Sequence, residues 1–115
     1  MENKNIVAEF TAYRQKMNER ILESDNKVMK RLFALDTLTY TEGALSVETK
    51  EMLGLVSSLV LRCDDCVKYH VQQCVELGVS KEALMEVFAI ANVVGGTIVI
   101  PHTRRAIEFM DLLFD

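Results

Sequence analysis

The chain has 115 residues, enough for one domain and little more. Half of it is hydrophobic and 26% charged, the balance of a chain that buries a core, which excludes a disordered tail. Against 17 Asp and Glu stand 13 Lys and Arg, a net charge of −4 without a basic patch to neutralise phosphates, so nucleic acid is not an expected partner.

A domain of this size buries only about 65% of its unfolded surface, and self-association is a natural supplement. With 1 Pro, 5 Gly and no Trp, the chain lacks the turn residues that a sheet-rich fold needs, and an all-α fold is expected. In chain order, Ile6, Phe10, Tyr13, Met17 and Ile21 recur at helical spacing and mark a first amphipathic helix. Ser24 or Asp25 can cap a second helix over Val28, Met29, Leu32, Phe33 and Leu35, unless the two run together; residues 36–44 read as a connection ending near Gly43. Ser46 caps a third helix, with Glu48 and Glu51 in its early turns and Met52, Leu55, Val56, Leu59 and Val60 as its buried stripe. A fourth covers roughly residues 63–77, and Gly78 suits the left-handed position beyond it. Ser80 caps a fifth with Leu84, Val87, Phe88 and Ala91 on its apolar face, stopped by Gly95 and Gly96. The last begins near Pro101 and runs through Ile107, Met110 and Leu113, giving about five to six helices in all.

The longest nearly apolar run, residues 87–100, contains Asn92 and two glycines and is too short to span a bilayer, so no membrane partner is expected. Met1-Glu2-Asn3-Lys4-Asn5 lacks the basic and apolar regions of a secretory leader, and a cytoplasmic protein is expected. In that compartment thiols are kept reduced, which turns the 3 cysteines into a question of chemistry.

The chemistry concentrates in Arg62-Cys63-Asp64-Asp65-Cys66-Val67-Lys68-Tyr69-His70. On a helix Cys63, Cys66, His70 and Cys74 share one narrow strip. A Cys pair at a helix start gains thiolate character from the unpaired amides and the positive end of the helix. His70, one turn after Cys66, is placed to accept its proton directly or through a water. Arg62 favours a thiolate, whereas Asp64 and Asp65 oppose one. Three other readings compete with redox chemistry. The cysteines can be core filler with His70 a satisfied polar residue. A zinc site would need Cys74, His102 or Glu51 as a fourth ligand. A thioredoxin-like fold wants a strand before the Cys pair, where a helix is predicted here.

The constellation of Glu51, Cys63-x-x-Cys66 and His70 resembles the signature of the alkyl hydroperoxidase D-like group within the carboxymuconolactone decarboxylase family. The flanks Gly43-Ala44-Leu45-Ser46, Leu77-Gly78-Val79-Ser80-Lys81-Glu82 and Gly95-Gly96 resemble it too, so the likeness spans roughly residues 43–105. It implies a single helical domain over 1–115, with N-terminal helices in 1–42 and the family core in 43–115. It also implies an obligate homo-oligomer, trimeric or hexameric, and a chemistry without cofactor or metal: reduction of a hydroperoxide, or exchange with a disulfide, supported by a thiol electron donor. The catalytic set carried over is Glu51, Cys63, Cys66 and His70. Glu51 would orient His70, often through water; His70 would help deprotonate a cysteine; one cysteine would become a sulfenic acid and the other resolve it. One-turn spacing favours Cys66 as the attacking thiol and Cys63 as the resolving one. The chain departs from the group at Asp65, where hydroperoxidase members often carry His; this weighs against efficient peroxide reduction more than against general redox activity. The lactone decarboxylases proper lack the Cys pair, which speaks against a decarboxylase. A non-catalytic oligomeric or metal-binding helical module is the alternative from a different class. Cys74 reads as buried filler, and His102 as a helix-start histidine or one that faces the site across a subunit contact.

Overall fold

The computed structural model describes residues 2–114, with side chains described from Ile6 onward; the Met1–Asn5 stretch read above for a leader therefore lies outside the described side chains. The described residues form six α-helices and a short 3-10 turn, with no strand among them. The helices are α1 (Glu2–Glu23), α2 (Lys27–Thr39), α3 (Val47–Val60), α4 (Asp64–Glu76), α5 (Lys81–Gly95) and α6 (Ile100–Phe114). The chain divides into two compact units, Met1–Thr41 and Glu42–Asp115.

The first unit comprises α1 and α2. They are separate helices, and the cap of α2 is Asn26, which corrects the choice of Ser24 or Asp25. Its side chain accepts the N–H groups of Val28 and Met29 at 3.0 and 3.1 Å. Ser24 instead closes the end of α1 by donating to the Ile21 carbonyl at 2.6 Å, and Asp25 takes the left-handed backbone (φ 60°) that turns the chain. α2 runs on to Thr39 through most of the stretch read as a connection; Thr37 and Thr39 return their hydroxyls to carbonyls four residues back, so they fit a helix despite their turn-like composition. No described residue of this unit is buried, and Ile6, Tyr13, Val28, Leu32 and Leu35 are exposed. Phe10, Met17 and Ile21 of the α1 stripe and Met29 and Phe33 of the α2 stripe are half-buried.

The second unit holds the core. Ser46 caps α3 through the Thr49 N–H and Ser80 caps α5 through the Ala83 N–H, each at 3.1 Å. α3 packs against both α4 and α5, and α6 lies chiefly against α4. Between them Leu55, Leu59, Val67, Val71, Leu84, Phe88, Val99, Phe109 and Met110 are almost wholly removed from water. In α3 only Leu55 and Leu59 of the expected stripe are buried; Met52, Val56 and Val60 remain half-buried. Gly95 marks a close approach: a Cβ there would stand 2.5 Å from Val99 Cγ2 and 3.7 Å from the Val60 backbone. Glycine there leaves room for the Val99 side chain, whereas Val60 at the end of α3 stands only at ordinary contact distance.

Candidate active site

The site is built where α3 hands over to α4. The end of α3 closes with a Schellman turn, in which the Arg62 N–H bonds the Leu59 carbonyl and the Cys63 N–H bonds the Ser58 carbonyl, both at 3.0 Å. This turn needs left-handed backbone at Arg62 (φ 61°), a position that glycine fills with less strain. The chain leaves it with Cys63 extended at the N-cap of α4, and Cys63 Sγ accepts the Cys66 N–H at 3.3 Å. A sulfur thus occupies the place where a capping oxygen usually sits. When reduced, it faces free amides and the positive end of the helix, both of which favour the thiolate.

Cys66, one turn on, is joined to Cys63 as a disulfide, with the two Cα atoms 5.3 Å apart. Cys66 is exposed and Cys63 half-buried. The strip then descends into the protein: His70 is 8% exposed and Cys74 fully buried. Burial, and secondarily the charge of Glu51, pushes the Cys74 thiol up to about 12, so it stays protonated at neutral pH. Its role as buried filler agrees with that placement.

Glu51 lies in α3 and is 3% exposed, not in the solvated position common for an acid in a first helical turn. Its Oε1 is 2.7 Å from His70 Nδ1, a direct contact where a water was the usual expectation. A carboxylate only accepts, so Nδ1 carries the proton and donates it; in the neutral imidazole Nε2 is then the nitrogen with a lone pair. Tyr69 meets the His70 ring edge-on at 5.4 Å between centroids and helps to hold its plane.

A second ionic group sits at the same helix end. Asp64, directly after Cys63, accepts His102 Nδ1 at 2.7 Å on Oδ1 and Arg105 Nε at 2.9 Å on Oδ2. Burial raises the Asp64 carboxyl, but the hydrogen bonds and charges of His102 and Arg105 outweigh it and hold the group below the usual carboxylate value. His102 accordingly meets the start of α4 within its own chain. The part played by Asp64 and Arg105 was not foreseen. The available signal was the i,i+3 spacing of His102 and Arg105 on α6, which places two donors on one face. Among the described residues no three His, Cys, Asp or Glu side chains converge so as to hold a metal ion. No helix of the described residues is long and apolar enough to cross a membrane.

The sequence profile of the carboxymuconolactone decarboxylase family matches residues 26–109. A crystal structure of a member of that family from Thermotoga maritima, TM1620, for which an antioxidative response has been suggested, superposes with a TM-score of 0.88 at 48% identity, covering 92% of this chain and 90% of that one. A family protein of Legionella pneumophila, lpg0406 in its apo form, shares the fold at a TM-score of 0.79 and 23% identity, over 99% and 98% of the two chains. An uncharacterised protein of Cupriavidus necator is 31% identical over 72 residues, 63% of this chain and 64% of its own length. The chain thus spans a little under two thirds of that relative.

Proposed function

The chain belongs to the carboxymuconolactone decarboxylase family, and on that premise we propose that it is a thiol-dependent antioxidant oxidoreductase of the alkyl hydroperoxidase D-like type. The observation that carries this reading is the Cys63–Cys66 pair at a helix N-terminus, with one sulfur exposed and the other held by a backbone amide. That asymmetry supports one order of steps. His70 takes the proton of the Cys66 thiol, and the thiolate attacks the outer oxygen of a hydroperoxide, giving Cys66 sulfenic acid and an alcohol once the alkoxide is protonated. The Cys63 thiolate then attacks the sulfenic sulfur, forming the disulfide and releasing water after one further proton. Disulfide exchange uses the same sulfurs in reverse: a donor thiolate attacks exposed Cys66 and expels Cys63 as a thiolate stabilised by its amide contact. Glu51 acts as a positioning residue that fixes the His70 tautomer. With Asp65 before Cys66, disulfide exchange is the better supported of the two activities.

The exposed apolar residues of α5, among them Ile90, Val93 and Val94, supply a face that further copies of the chain would cover, in keeping with a homotrimer or homohexamer. The test is thiol-dependent peroxide and disulfide turnover by the wild type, Cys63→Ser and Cys66→Ser. Both variants should lose activity; turnover equal to wild type in both overturns the assignment. Native mass spectrometry addresses the alternative of a metal-binding module, which requires one bound metal per chain where the redox reading requires a two-hydrogen loss on mild oxidation.

A further inference from the structure

The cluster of Asp64, His102 and Arg105 has no part in the steps above, yet it includes Asp64, the residue next to Cys63. Both Asp64 oxygens are engaged from α6, and Arg105 Nη2 adds a longer contact of 3.4 Å to Oδ1. His102 and Arg105 stand one helical turn apart, so one face of α6 presents two donors to one carboxylate. Consecutive Cα atoms lie about 3.8 Å apart, which puts the Asp64 charge well within a Debye length of the sulfur on its neighbour. An uncompensated carboxylate there would oppose a thiolate at Cys63.

We propose that His102 and Arg105 are positioning residues for the cysteine pair, holding and neutralising Asp64 so that its charge does not destabilise the reduced, anionic state of Cys63. The proposal rests on the reading that Cys63 and Cys66 cycle between disulfide and dithiol. In that cycle two electrons and two protons from reduced dithiothreitol cleave the Cys63–Cys66 bond, giving two thiols and oxidised dithiothreitol. A neighbour that stabilises the Cys63 thiolate favours the reduced pair and raises its potential. The other charges at this helix end, Arg62, Asp65 and Lys68 together with the Glu51–His70 pair, are common to every variant of the test.

The test measures the equilibrium constant of the Cys63–Cys66 disulfide with dithiothreitol for the full chain and three variants. Arg105→Gln should shift the equilibrium about tenfold toward the disulfide, a fall of about 30 mV. Asp64→Asn should shift it about tenfold the other way, and Arg105→Lys should restore a value near wild type by keeping the charge. A clamp with only a structural role would move Arg105→Gln and Asp64→Asn in the same direction, and that result, or no shift in either, overturns the proposal. Should Arg105→Gln fail to fold, His102→Gln replaces it, with a smaller shift of the same sign expected and the same results overturning the proposal. A disulfide that cannot be cycled even in the wild type overturns the redox reading itself, and the proposal with it.

Discussion

Glu51 Oε1 and His70 Nδ1 meet at 2.7 Å across the α3–α4 contact, and both residues are almost wholly withdrawn from water. A buried carboxylate with a single hydrogen-bonded imidazole partner is stable only while that partner is present.

His70→Ala therefore leaves Glu51 buried and unpaired, and a loss of about 3 kcal/mol in urea unfolding is expected. Glu51→Gln keeps an acceptor for Nδ1–H but removes the charge. It should fold with a near-unchanged midpoint and slow the single-turnover reaction of the reduced protein about a hundredfold, the lower end of what general acid–base assistance supplies. Wild-type rates in Glu51→Gln would show that the pair serves folding alone.

Arg62 adopts the left-handed backbone of a Schellman turn, at a position equivalent to that of Gly78 at the end of α4. A side chain there costs about 1–2 kcal/mol, partly offset in glycine by about 0.5–1 kcal/mol of extra unfolded-state entropy. Arg62→Gly should accordingly stabilise the protein by up to about 1.5 kcal/mol, read as a higher urea midpoint at unchanged slope. Arg62→Val, branched at Cβ, should lower the midpoint.

Cys74 is expected to stay silent in thiol chemistry. Native reduced protein treated with iodoacetamide near neutral pH should gain label at Cys63 and Cys66 and none at Cys74, which denaturant then exposes. Its titration also has a sign. The thiol is at about 12 when folded against 9.0 as the ordinary value, so between those limits the unfolded chain has lost a proton that the folded chain retains. This contribution to stability is complete below about 9 and falls away as pH rises toward 12. Cys74→Ala should flatten the alkaline decline in unfolding free energy; an identical slope would place the loss elsewhere.

Local signals carried most of the helix plan. Ser46 and Ser80 were legible as caps because a hydroxyl before an apolar-periodic run satisfies a nearby amide in any fold. The α2 cap at Asn26 was misplaced by one or two residues because Ser24, Asp25 and Asn26 are all able to cap, and turn geometry chose among them. The stripes of α1 and α2 were legible as periodicity, but none of their residues is fully buried in one copy, since periodicity states which face is apolar and not what covers it.

The sequence by itself determined the helical character of the chain and the single strip of Cys63, Cys66, His70 and Cys74, because both depend on interactions within a few residues along one helix. Tertiary structure alone decided that Glu51 reaches His70 directly, that Cys66 is more exposed than Cys63, and that Asp64 is held by His102 and Arg105. Those facts depend on how α3 and α6 pack against α4, and contacts between groups distant in sequence are set by the shared core, which no local spacing encodes.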